Sequence, residues 1–76
     1  MVNINNKERE LLKILSIKGP LTPLEISVEQ LEMPDKISQL ISKLEKKGYI
    51  SKKTLNAGPE EAVITLSEKG RKALKD

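Results

Sequence analysis

The sequence predicts a small α+β domain with three helices, a two-stranded β-hairpin and a short closing helix. Three observations carry this. Apolar residues recur at helical spacing in three segments before residue 48, each bracketed by cap and breaker residues. The pattern then changes to that of strands over 49–55 and 62–66, with turn residues between. At 76 residues there is room for one core, so 1–76 reads as a single domain.

Asn5 and Glu8 have the spacing of a capping box. Leu11, Leu12, Ile14, Leu15 and Lys18 follow at helical spacing, and Gly19-Pro20 stops the helix with a left-handed glycine, so the first helix covers 6–18. Leu11, Leu12 and Leu15 face the core. Ile14 and Ile17 widen the stripe, to pack inside or against a second subunit. Thr22 is an N-cap and Pro23 suits the first helical position. Leu24, Ile26, Val28 and Leu31 supply the apolar positions of a second helix, 23–31. Met33-Pro34 breaks it, because a residue before proline avoids the α region. Ile37, Leu40, Ile41 and Leu44 then fall at i, i+3, i+4 and i+7, and Gly48 supplies a left-handed cap, which sets the third helix at 34–47. A strand over 49–55, a turn over 56–60 and a strand over 62–66 form the hairpin. Ser67 caps a last helix, 68–75, anchored by Ala73 and Leu74, with Gly70 as its weak point.

Composition excludes several function classes. There is no Cys and no His, hence no disulfide, no thiolate metal site, and neither the commonest general base nor the commonest transition-metal ligand. Glu60 and Glu61 are in an exposed turn where nothing tunes a carboxyl group, and no glycine-rich phosphate loop is present. An enzyme is not expected, nor is a cofactor, a metal or a small-molecule ligand. No apolar run approaches the roughly 20 residues of a membrane span. Residues 1–6 are polar and lack a signal-peptide core. The expectation is a cytoplasmic binding domain with no membrane partner.

The net charge of +3 is unevenly placed. Lys36, Lys43, Lys46, Lys47, Lys52 and Lys53 face Glu45 alone within 36–53, a local +5, and the rest of the chain carries −2. A basic segment on a near-neutral body suits a polyanion partner. A solvated lysine-rich face would look the same from charge alone.

Helices two and three, joined by a turn of about three residues, form a helix-turn-helix, and the hairpin that follows is a wing. Residues 34–50, PDKISQLISKLEKKGYI, resemble the recognition helix and first wing strand of MarR-like winged-helix transcription regulators. Residues 64–71, ITLSEKGR, resemble the segment that closes the wing in the same families. With helix one, the resemblance covers nearly the whole chain and implies a winged helix-turn-helix. Three features depart from the pattern. The turn Leu31-Glu32-Met33 lacks the usual glycine and is one residue shorter. Glu60 and Glu61 occupy the wing tip, where DNA-reading wings carry Arg or Lys, so insertion of the tip into a minor groove is not expected. Full-length MarR proteins dimerise through long terminal helices, and a chain ending at Asp76 is expected to lack or replace that interface.

The expected function is a DNA-binding transcription regulator that acts on double-stranded DNA as a homodimer. The alternative is a winged-helix protein–protein interaction module without direct DNA binding. Opposite the apolar stripe of helix three lie Asp35, Gln39, Ser42 and Lys46, flanked by Lys36, Ser38 and Lys43. Gln39 suits adenine, Lys36 or Lys43 suits guanine, and Ser38 and Ser42 suit bases or phosphates. Lys46, Lys47, Lys52 and Lys53 suit phosphates. Asp35 complements the helix dipole. Tyr49, the only aromatic residue, is expected to pack between wing and core, and one aromatic is too few for single-stranded nucleic acid. Homodimer contacts are expected on the first helix, through Ile14 and Ile17, or on the last, through Leu74.

Overall fold

The chain runs α1 (Asn6–Lys18), α2 (Pro23–Gln30), α3 (Pro34–Lys47), β1 (Ile50–Thr54), β2 (Ala62–Leu66) and α4 (Glu68–Lys75). This computed structural model describes residues 4–54 and 62–75. The element order is the expected one. The second helix ends at Gln30, one residue early, and the first strand begins at Ile50 instead of Tyr49. The tip residues Glu60 and Glu61 lie outside the described residues.

Three of the four helices start at a residue whose side chain caps them. The Asn5 side chain accepts from the Glu8 N–H at 2.8 Å, and the Glu8 carboxylate accepts from the Asn5 N–H at 3.0 Å. Thr22 and Glu25 make a second capping box, at 3.2 and 2.9 Å, which adds a carboxylate to the threonine cap expected there. Ser67 Oγ accepts from the Gly70 N–H at 3.1 Å and so opens α4 as expected.

The core joins Leu11, Leu12 and Leu15 of α1, Ile26 of α2, and Ile37, Ile41 and Leu44 of α3 to Tyr49, Ile50, Ile64 and Ala73. Ile14 and Leu74 are half-buried, whereas Ile17 is 71% exposed. The strands pair antiparallel, with Ile50 opposite Leu66 and Thr54 opposite Ala62. A further bridge joins the hairpin to the link between α1 and α2: the Leu21 N–H donates to the Ile64 C=O at 3.1 Å, and the Ile64 N–H donates to the Leu21 C=O at 2.7 Å. A single bridging residue between Pro20 and Thr22 has no periodicity to reveal it.

Three expectations need correction. Gly19 has the expected positive φ, 84°, but its ψ of −157° is extended, not left-handed helical. That region is essentially restricted to glycine. Gly70 is not a weak point. A Cβ there would lie 2.2 Å from the Tyr49 carbonyl oxygen and 2.7 Å from Leu66 Cδ1, so its bareness lets α4 lie against the start of the wing. The third correction concerns α2. Of its four expected apolar anchors only Ile26 is buried, while Leu24, Val28 and Leu31 are 67%, 66% and 90% exposed.

The buried side of α2 is instead partly polar. Ser27 Oγ donates to the Glu32 C=O, closing the turn into α3, and the Glu32 N–H donates back to the Ser27 C=O at 3.1 Å. Gln30 Nε2 reaches the Lys7 C=O of α1 at 3.3 Å. The turn lacks glycine because Leu31 itself takes the left-handed conformation, φ 53° and ψ 47°. Gly48 does the same at the end of α3, as expected, with φ 84° and ψ 13°.

Candidate nucleic-acid interface

Helix α3 is amphipathic in the simplest way. Ile37 and Leu44 are fully buried and Ile41 is 4% exposed, which turns the other side of the helix outward. Lys36, Ser38, Gln39, Ser42, Lys43 and Lys46 are all exposed on it, as is Asp35 in the first turn. Ser38, Gln39, Ser42 and Lys43 line one shallow depression. Lys36, Gln39 and Lys43 border a second, shared with Lys7 and Glu32. On β1, Lys52 and Lys53 are exposed and, as neighbours in a strand, point to opposite sides of the hairpin.

Both ends of α3 are held. At the C-terminal end, the Tyr49 N–H donates to the Leu44 C=O at 3.0 Å. Lys69 Nζ donates to the Lys47 C=O at 2.7 Å while lying 5.1 Å from the Tyr49 ring centroid. Tyr49 is 8% exposed, in the wing-to-core role expected of it. At the N-terminal end, Pro34 occupies the first helical position and the Ile37 N–H donates to the Met33 C=O at 3.0 Å. Lys7 Nζ lies 3.0 Å from Glu32 in the preceding turn. Their hydrogen bond and charge attraction hold the Glu32 carboxyl below the usual carboxylate range and the Lys7 ammonium above its own.

One residue of the expected set has a different setting. Lys47 is half-buried, and its ammonium lies 3.3 Å from Glu8, a carboxylate only 2% exposed. The other eight residues named for nucleic acid are exposed; Lys47 compensates a buried charge on α1. The signal was present in the sequence. Lys47 falls three residues after Leu44, at the edge of the apolar stripe, and Glu8 falls three before Leu11 in the same relation. Two oppositely charged residues at the margins of two core-facing stripes are candidates to meet. Among the described residues, no cluster of acidic, His or Cys side chains could hold a metal ion, and no helix is long and apolar enough to cross a membrane.

No family model matches the sequence, and no curated protein matches it. Solved structures do match. A transcriptional regulator from Thermotoga maritima superposes with a TM-score of 0.86 at 22% identity, over 95% of this chain and 51% of its own. A MarR family protein from Bacillus stearothermophilus gives 0.85 at 22% identity, over 97% and 51%. A mutant of MarR from E. coli, complexed with operator DNA, gives 0.87 at 14% identity, over 96% and 52%. The fold is a MarR-like winged helix-turn-helix. In this MarR-like frame α2 and α3 are the helix-turn-helix and β1 and β2 the wing, and the Leu21–Ile64 bridge adds a third chain segment at the wing's base. The chain spans about half the length of these MarR-like structures. None of the three is named as an enzyme.

Proposed function

We propose that this domain binds double-stranded DNA as the reading head of a cytoplasmic transcription regulator, with the outer face of α3 in the major groove. The carrying observation is the division of α3, anchored at both ends yet with Lys36, Ser38, Gln39, Ser42, Lys43 and Lys46 all turned to solvent. The E. coli structure of the same fold complexed with operator DNA supports the choice of partner.

In this reading the Gln39 amide offers a donor and an acceptor to adenine, and Lys36 or Lys43 donates to guanine. Ser38 and Ser42 bond base edges or phosphates. Lys46, Lys52 and Lys53 neutralise phosphates. Lys47 is left out of the contact set because its ammonium serves Glu8. Paired half-sites about one helical turn apart would engage a homodimer.

A labelled mixed-sequence duplex titrated with the protein tests this by anisotropy. With the three lysines Lys46, Lys52 and Lys53 on phosphates, the log–log salt slope is about −3, so affinity falls roughly 40- to 60-fold between 50 and 200 mM salt. Absence of binding at roughly 50 mM salt, where electrostatic affinity is large, rejects the proposal. So does wild-type affinity in the double variant Lys43→Glu, Lys46→Glu, a result that would favour the interaction-module alternative.

A further inference from the structure

The lysines assigned to phosphates are unevenly spread about α3. Lys46 lies in its last turn, and Lys52 and Lys53 lie on the strand beyond. The first turn carries Asp35 and no cation assigned to a phosphate. A helix seated in a major groove runs between two phosphate backbones, and contacts to them fix its register and orientation. The beginning of α3 lacks a grip that its end possesses.

The fold supplies a cation there from outside the basic segment. Lys7, in the first turn of α1, borders the same depression as Lys36, Gln39 and Lys43, with Glu32 and Leu40 completing its wall. Its main chain is fixed by Gln30, which is 5% exposed and donates its amide to the Lys7 C=O at 3.3 Å. Its ammonium is fixed by Glu32 at 3.0 Å, in a turn that Ser27 closes through the Glu32 main chain. The two partners are unequally covered. The Lys7 side chain is 54% exposed and that of Glu32 18%, so the cation is the outer member of the pair and the carboxylate the inner one. An ammonium has three donors, and one carboxylate oxygen leaves the others for an anion arriving from solvent.

We propose that Lys7 is a further DNA-contact residue, neutralising a backbone phosphate beside the first half of α3, and that Glu32 is the positioning residue that holds its ammonium there. The inference rests on α3 being the DNA-facing helix. A lysine free in solvent loses rotamer freedom when it grips a phosphate; Lys7 has given up much of that freedom before a duplex arrives. The carboxylate does not cancel the site. Lys7, Lys36 and Lys43 border the depression against Glu32 alone, three positive charges to one negative, so an approaching phosphate still meets a net positive wall. Lys7 adds a fourth phosphate contact to those of Lys46, Lys52 and Lys53, and steepens the log–log salt slope by about 0.9. A plain surface ion pair between Lys7 and Glu32 would leave that slope untouched.

Anisotropy with a labelled mixed-sequence duplex, from about 50 to 200 mM salt, reads the number of phosphates neutralised. Lys7→Gln should make the slope shallower by about 0.9 and weaken binding roughly five- to fifteenfold at 50 mM salt. Lys7→Arg, which keeps the charge, should restore both. Lys46→Gln should make the slope shallower by a similar amount. Lys13→Gln, at an exposed lysine of α1 outside the depression, should leave it unchanged. In a Glu32→Gln background the affinity lost through Lys7→Gln should shrink about twofold or more, because the ammonium is no longer held. Circular dichroism melts check that each variant is folded. A slope that changes in Lys46→Gln but not in Lys7→Gln overturns this inference and leaves the reading of α3 standing. Equal effects of Lys7→Gln and Lys13→Gln, or a Lys7→Gln loss undiminished in the Glu32→Gln background, overturn it as well. A wild-type chain that does not bind the duplex overturns both.

Discussion

The two helices of the helix-turn-helix lie side by side and follow opposite rules. In α3 every fully buried side chain is aliphatic and the outer side is polar. In α2 two of the three buried residues, Ser27 and Gln30, are polar, and the outer side is aliphatic. The difference shows that α3 is shaped by the core it covers, and α2 by the turn it must close and the helix it must brace. Ser27 shapes the turn through Glu32, Gln30 ties the helix to α1 through Lys7, and Ile26 alone supplies the apolar anchor.

The largest expected effect tests this contrast in one pair of variants. Leu44→Ala in α3 should cost about 2–5 kcal/mol, because a fully buried leucine leaves a cavity. Leu24→Ala in α2 should stay within about 0.5 kcal/mol. Urea denaturation measures both, and equal losses would break the comparison.

A second pair sharpens the division within α3 itself. Lys47→Ala should cost about 1–2 kcal/mol, since it strands the buried Glu8 carboxylate. Lys43→Ala should cost less than about 0.5 kcal/mol. For duplex binding the order should reverse, with Lys43→Ala weakening affinity and Lys47→Ala sparing it. A lysine that mattered equally for both properties would erase the distinction.

Leu31→Gly has a smaller effect of the other sign. It relieves left-handed strain of about 1 kcal/mol against an unfolded-state entropy cost of about 0.4–1 kcal/mol. Stability should therefore hold level or rise by up to about 0.5 kcal/mol. A clear loss in the monomer would mean that Leu31 packs within its own fold.

The smallest effect is that of pH. Glu25, through its bonds to Thr22, and Glu32, through Lys7, both titrate below the ordinary value of 4.5. The native state then binds fewer protons than the unfolded chain. The stability these groups contribute is complete above that value and declines as pH falls through the lowered folded values. Glu25→Gln and Glu32→Gln should each flatten the acid limb of the stability profile. A limb unchanged in both variants would remove the capping box and the Lys7 pair as its source.

How far the sequence could be read follows the same contrast. Helix α3, from Pro34 to Gly48, was legible because burial there coincides with hydrophobicity and its stop is a glycine that the backbone requires. The outward position of Lys36, Ser38, Gln39, Ser42, Lys43 and Lys46 follows from that stripe alone. The exposed side of α2 was hidden because its buried polar side chains donate to main-chain carbonyls of Glu32 and Lys7, partners that no periodicity in residues 23–31 can announce. Gly70 was misread for a related reason. Helix propensity counts its backbone freedom, whereas the deciding quantity is the distance to the Tyr49 carbonyl oxygen, set by a residue just before β1 and some twenty positions earlier. Lys47 was grouped by charge when its position at the stripe's edge should have separated it.

The central claim is that the outer face of α3 meets duplex DNA, and amide chemical-shift mapping tests it most directly. On adding a duplex to isotope-labelled protein at low salt, the largest shifts should fall on Lys36, Ser38, Gln39, Ser42, Lys43 and Lys46, with smaller ones at Lys52 and Lys53. The Leu24–Val28 side of α2 should stay unmoved. Shifts centred on α2 or α4 with α3 silent, or no shifts at all, would contradict the account.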